Sequence, residues 1–178
     1  MSPGRSPAAR PRDVQRSRVY DAEQLLRTLF DHADAVPGRT IEAYGTRLTL
    51  PVERRFGSVA AVQDYTDRLL ALTWVGARWP RAAIAVRVRA RAGHRAAHYE
   101  PDTSTLALPE QGRAARWALR ELVVLHELTH HLDSAPATHA AHGPEFCGRQ
   151  LELVDEVIGA EAAFLLRTTY LQCGVRLG

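Results

Sequence analysis

Apolar residues recur along this chain with two periods, and the changes of period divide it into elements. Ala22, Leu25, Leu26, Leu29, Phe30 and Ala33 fall at helical spacing. Asp21 stands where an N-cap would, with Gln24 three residues on, so the pattern predicts an amphipathic helix over residues 20–34, ended by Pro37-Gly38. Residues 40–44 and 47–50 flank Gly45-Thr46 and predict a hairpin or two short strands. Ser58 is placed to cap a second helix that runs through Val62 and Leu69 to about Val75.

Strict alternation follows over residues 82–92, with Ile84, Val86, Val88 and Ala90 on one face and Arg87, Arg89 and Arg91 on the other. That is the pattern of a half-buried strand. Gly93 turns it, residues 96–100 return, and Pro101-Asp102 turns again into a strand over residues 104–108. A long apolar run then predicts one helix from about Gly112 to about Leu132. On its wheel Arg113, Arg116, Arg120, Glu127 and His131 share a polar stripe opposite Leu125, Leu128 and Leu132, while Glu121 falls on the apolar side without a visible partner. Pro144 opens a further helix, and residues 160–173 form a last one closed by Gly174. These elements predict a single α+β domain, helices packed on a small, mainly antiparallel sheet.

Composition narrows the class. A chain of 178 residues that is 46% hydrophobic can bury one sizeable core, and no run of apolar residues is long enough to span a bilayer. Residues 1–17 are rich in Pro, Arg, Ser and Ala without an apolar signal segment, so they predict a disordered tail before a domain at 18–178, in a cytoplasmic protein. Cys147 and Cys173 read as reduced thiols rather than a disulfide framework. Every basic residue is arginine, but the net charge of only +3 permits nucleic-acid contact without requiring it. The arginine row at 87, 89 and 91 reads as a solvated sheet face.

The chemistry concentrates in one stretch, LHELTHHLDSAPATHAAHGPEF, residues 125–146. His126 and His130 lie one helical turn apart, so both imidazoles can face one Zn²⁺. Glu127, rotated by about 100° from His126, can take a proton from water at the metal without ligating it. A catalytic zinc wants three protein ligands. His142 leads for the third because Gly143 and Pro144 pin it at a helix start. His139 follows it, and Glu145 or Glu152 would serve in a carboxylate variant. His131 reads as a cleft-edge residue or as a donor supporting a ligand from behind, Asp133 either as an acceptor for a ligand imidazole or as a turn residue, and Cys147 as a buried thiol. Tyr170 is a weak candidate for stabilising an oxyanion, with a core role favoured.

The pairing of His126-Glu127-x-x-His130 with His142-Gly143-Pro144-Glu145-Phe146 resembles the SprT-like (Spartan-like) zinc metallopeptidases, and within them small actinobacterial H-E-x-x-H metallohydrolases. The resemblance spans roughly residues 95–150. It implies a zincin-like domain, zinc on His126, His130 and His142, Glu127 as general base, and a peptide or protein substrate. The strand at 104–108 would be the edge to which an extended peptide adds. Three rivals remain: a zinc-stabilised binding or regulatory protein, a hydrolase of a non-peptide amide, and a nucleic-acid binder.

Overall fold

The first helix begins before the pattern places it. In the computed structural model, which describes residues 11–91, 96–109 and 112–178, α1 spans Arg16–Asp34. Its start lies inside the stretch expected to be a disordered tail, of which residues 1–10 fall outside the described residues. Asp21 is an exposed mid-helix residue, not a cap. What fixes the start is Gln15, whose buried amide pairs with the backbone of Arg176: Nε2 donates to the carbonyl at 3.1 Å and Oε1 accepts from the N–H at 3.1 Å. A contact 161 residues away leaves no capping signature nearby.

The predicted hairpin forms, with β1 (Thr40–Ala43) and β2 (Thr46–Thr49) paired antiparallel. Its turn places Tyr44 and Gly45 at φ 52° and 75°, the left-handed pair whose twist suits two strands joined this tightly. Ser58 caps α2 (Val59–Leu70) as expected, its hydroxyl accepting the Ala61 N–H at 3.1 Å. That helix stops short of Val75, which belongs to a separate short helix, α3 (Thr73–Arg78).

Two corrections concern the sheet. Its strands are β3 (Arg87–Arg91), β4 (His98–Glu100) and β5 (Thr105–Pro109), and residues 80–83 form a 3-10 turn instead of opening the first strand. The strands β3 and β4 do not pair with each other. Instead β5 lies between them, parallel to β3 (Val88 opposite Leu106) and antiparallel to β4 (Tyr99 opposite Leu106). The expected turn at Gly93 lies outside the described residues. Burial explains the order: Thr105 to Pro109 is buried throughout, and a strand covered on all sides must sit in the middle. The outer edge of β3 is covered by Gln63 of α2, whose amide donates to the Val86 carbonyl at 2.9 Å and accepts the Val88 N–H at 2.6 Å. Among the described residues the other edge strand, β4, pairs with β5 alone.

The long helix expected over 112–132 is broken into α4 (Gly112–Ala118) and α5 (Glu121–His131). Arg120 between them is extended, at φ −102° and ψ 143°. Segment 53–56 runs alongside and takes the backbone bonds that a continuous helix would use: the Phe56 N–H donates to Leu119 O at 2.8 Å and the Glu121 N–H to Arg54 O at 3.0 Å. Glu53 then accepts the Leu122 N–H at 3.2 Å and holds the buried Arg120 guanidinium at 2.6 Å. Glu121 finds its partners here as well, accepting from the Arg54 N–H at 3.0 Å and the Tyr65 hydroxyl at 2.8 Å. The single polar stripe drawn for an unbroken helix does not form, because Arg120, Glu127 and His131 are all buried among separate partners.

Pro144 opens α6 (Pro144–Val157), and α7 (Ala160–Gln172) ends at Gly174 with φ 69°, both as the pattern predicts. Helix α7 packs on α1 and α6, α6 packs on α5, and α5 lies against β4. The architecture is mixed α+β, with two small sheets. Among the described residues no helix is long and apolar enough to cross a membrane.

Candidate metal centre

Helix α5 presents His126 and His130 from consecutive turns, and the N-terminal end of α6 brings His142 to them. The Nε2 atoms of His130 and His142 each lie 3.3 Å from Nε2 of His126. The three ligand atoms fall within 4.8 Å of one another, and this group of three is the candidate metal cluster among the described residues. His126 and His142 are buried and His130 is half-buried. Gly143 allows the approach: a Cβ there would stand 3.2 Å from Ala140 O and 3.0 Å from the Glu145 carboxylate. From α6 the Phe146 ring packs on all three imidazoles, with centroids 4.9, 4.6 and 5.0 Å away.

Two carboxylates hold the far sides of these rings. Glu23 of α1 accepts from His126 Nδ1 at 2.6 Å, and Asp13 accepts from His142 Nδ1 at 2.7 Å. With the ring protons committed to Nδ1, each neutral imidazole keeps a bare lone pair on Nε2. Those lone pairs face each other at 3.3 Å, an arrangement that a shared cation relieves. On a tetrahedral zinc with bonds of about 2.0–2.1 Å, neighbouring ligand atoms sit about 3.3 Å apart, as the two separations from His126 do, and imidazole donors suit that ion. Glu23 is itself held from behind: Gln150 Nε2 donates to it at 2.7 Å, and Tyr170 donates to Gln150 Oε1. Burial pulls the His126 imidazolium downward, but the Glu23 carboxylate outweighs it and holds the pKa above the ordinary histidine value. His142 moves the other way, lowered by burial and by the charge of His126.

Glu127 is buried beside the cluster. Burial pushes its carboxyl pKa up, against the opposing pull of His126 and of the Tyr99 backbone N–H, which donates to it. Tyr99 is set by its neighbour on α5: its hydroxyl meets His131 Nδ1 at 2.8 Å, and His131 Nε2 donates to Arg81 O at 3.0 Å. His131, expected at a cleft edge or as a donor behind a ligand, is instead a fully buried clamp between α5 and β4.

The other candidates lie elsewhere. His139 meets Asp133 at 2.8 Å, and Asp133 also takes Arg149 at 3.0 Å, so this aspartate supports neither of the clustered imidazoles that have carboxylate partners. Glu145 is exposed, and Glu152 pairs with Arg78. Cys147 is buried, its thiol pushed up to about 12, first by burial. Tyr170 is fully buried behind Glu23, where it reaches no cleft. The tyrosine that borders the cluster is Tyr20, its ring 5.5 Å from that of His126 and 5.2 Å from that of His142. Glu23 was legible as a lone carboxylate in the apolar stripe of the first helix; Asp13 and Tyr20 had no local signal.

A cleft of about 600 Å³ opens over the cluster, lined by Arg16 and Tyr20 of α1, by residues 97–99 on and before β4, and by Glu127, His130 and His142. The strand expected to receive a peptide, now β5, cannot do so, because it is buried between two others; the strand at the cleft is β4. Compared with known proteins, the chain matches no family model, and no curated protein or solved structure is significantly similar to it.

Proposed function

We propose that this chain is a zinc-dependent metallohydrolase with a zincin-like domain, a peptidase acting on peptide or protein substrates in the cytoplasm. His126, His130 and His142 hold the ion and Glu127 is the general base. The observation that carries the reading is the Nε2 lone pairs of His126 and His142 facing each other at 3.3 Å, their Nδ1 protons taken by Glu23 and Asp13, with His130 Nε2 also 3.3 Å from His126 Nε2. Such an arrangement is costly in an apolar setting unless a cation occupies it. Imidazole donors suit zinc, and a group of three leaves a coordination position for chemistry. That open position favours hydrolysis over a purely structural ion, which is normally enclosed by four protein ligands.

Bound there, a divalent zinc supplies Lewis acidity that makes water nucleophilic near neutral pH. The chain supplies the remainder. Glu127 takes the proton of the attacking water on its carboxylate and passes it to the leaving nitrogen, and the raised pKa that burial gives it suits both transfers. The Tyr99 N–H keeps that carboxylate in place. The strand β4, which lines the cleft beside Glu127, supports an extended backbone as substrate, laid alongside it.

The test is metal analysis together with cleavage of an unfolded protein. Wild type should carry one zinc per chain, His142→Ala should lose it, and Glu127→Gln should keep it while cleavage disappears. Wild type purified without metal and unable to take up zinc, or Glu127→Gln cleaving as well as wild type, would end the reading.

A further inference from the structure

As water adds to a carbonyl, negative charge gathers on the carbonyl oxygen, and a hydrolase gains most from a hydrogen-bond donor aimed at that atom. Resting on the metallohydrolase reading, we infer that Tyr20 is this donor, its hydroxyl meeting the oxyanion across the face of the histidine cluster.

Placement comes first. Tyr20 and Glu23 are three residues apart on α1 and so share a face of that helix. Glu23 reaches behind His126, while the Tyr20 ring lies over the imidazoles, nearly parallel to His126 with an interplanar angle of 23°. Tyr20 lines the cleft beside Glu127 and His130. One helix thus fixes both the back of a ligand and a hydroxyl at its front.

Satisfaction comes second. The chain has five tyrosines, and four of them hydrogen-bond within the protein: Tyr44 to Gln172, Tyr65 to Glu121, Tyr99 to His131 and Tyr170 to Gln150. Tyr20 has no such acceptor among the described residues, although it is half-buried. Its polar neighbour is Arg16, whose guanidinium stands 5.5 Å from the ring centroid and beside the hydroxyl. Arginine only donates, so Arg16 cannot accept the Tyr20 O–H, which is left to point at something else. In the cleft that partner is the substrate. The cation also makes the phenol a stronger donor.

The step balances without a proton leaving Tyr20. The water oxygen bonds to the carbonyl carbon as its proton goes to Glu127, and the carbonyl π pair moves onto the oxygen facing Tyr20. Collapse restores the carbonyl, breaks the C–N bond and sends the Glu127 proton to the nitrogen.

The experiment uses the full chain loaded with zinc, fluorescently labelled unfolded casein as substrate, and a dipeptidyl phosphonamidate, whose tetrahedral phosphoryl oxygens mimic the oxyanion. Tyr20→Phe should keep its zinc and melting temperature, leave KM nearly unchanged, and lose kcat by about 100-fold, the usual effect of removing one such donor. Its affinity for the phosphonamidate should fall in parallel. Arg16→Gln, at an exposed position safe for folding, should show a smaller loss of the same kind. Wild-type kcat and phosphonamidate affinity in Tyr20→Phe overturn the inference, and so does loss of zinc, which would make Tyr20 a packing residue of the metal centre. If zinc-loaded wild type cleaves nothing, the metallohydrolase reading fails on its own. The phosphonamidate then decides for Tyr20: weaker binding by Tyr20→Phe upholds the donor, and equal or absent binding removes it.

Discussion

Two histidines of the cluster are held by the same chemistry in opposite surroundings. The His126–Glu23 contact of 2.6 Å and the His142–Asp13 contact of 2.7 Å are nearly equal in length. Glu23 lies on α1 inside the core, with Gln150 and Tyr170 stacked behind it and Arg27 at 3.8 Å. Asp13 lies ahead of α1 at the cleft, its side chain 21% exposed, and its Oδ1 has no hydrogen-bond partner among the described residues. The first pair is therefore part of what holds the fold together. The second orients one imidazole of the cluster from the rim of the cleft.

Glu23→Ala should break this comparison most. It leaves His126, Gln150 and Arg27 facing an empty buried site, so the metal-free protein should lose about 3–5 kcal/mol in urea unfolding. Zinc affinity, read by competition with a chromophoric chelator, should fall by a further ~10–100-fold. Asp13→Ala separates the two roles. Zinc affinity should drop about tenfold while the metal-free protein changes by less than about 1 kcal/mol. Equal destabilisation by both substitutions would erase the distinction.

Metal removal sharpens the same contrast. At free zinc of about 100 times Kd, the ion should stabilise wild type by about 2.7 kcal/mol, and chelation should abolish this. At that zinc concentration Asp13→Ala should keep only about 1.4 kcal/mol of it, the consequence of a tenfold weaker Kd. The smallest effect belongs to Tyr170→Phe, which removes one buried hydrogen bond at the end of the relay. It should cost about 1 kcal/mol in unfolding and change zinc affinity by less than the loss of Asp13 does.

How much of this was legible beforehand depended on distance along the chain. The pair at 126 and 130 follows from helical period alone, and His142 from a Gly-Pro helix start within the same stretch. The Ser58 cap and the hairpin were equally local, although the turn falls on Tyr44-Gly45, one residue before the expected Gly45-Thr46. The expected continuous helix over 112–132 failed because segment 53–56 competes for its backbone bonds, and nothing near Arg120 announces a competitor. The sheet order failed for a related reason. Alternation in 82–92 and the turns after it suggested neighbours paired in sequence, whereas the apolar run at 105–109 needed cover on both edges and took the middle.

The residue pattern by itself determined the chemical elements of the centre: two imidazoles on one helical face, a carboxylate beside them, and a third histidine pinned where the next helix starts. Those are short-range facts, carried by a repeat of about 3.6 residues per turn. Only the tertiary structure decided which carboxylates fix the ring protons and which tyrosine borders the histidine cluster. Glu23 meets His126 across 103 positions and Asp13 meets His142 across 129. No local period encodes separations of that length, because such partners are chosen by the packing of α1 against the rest of the core.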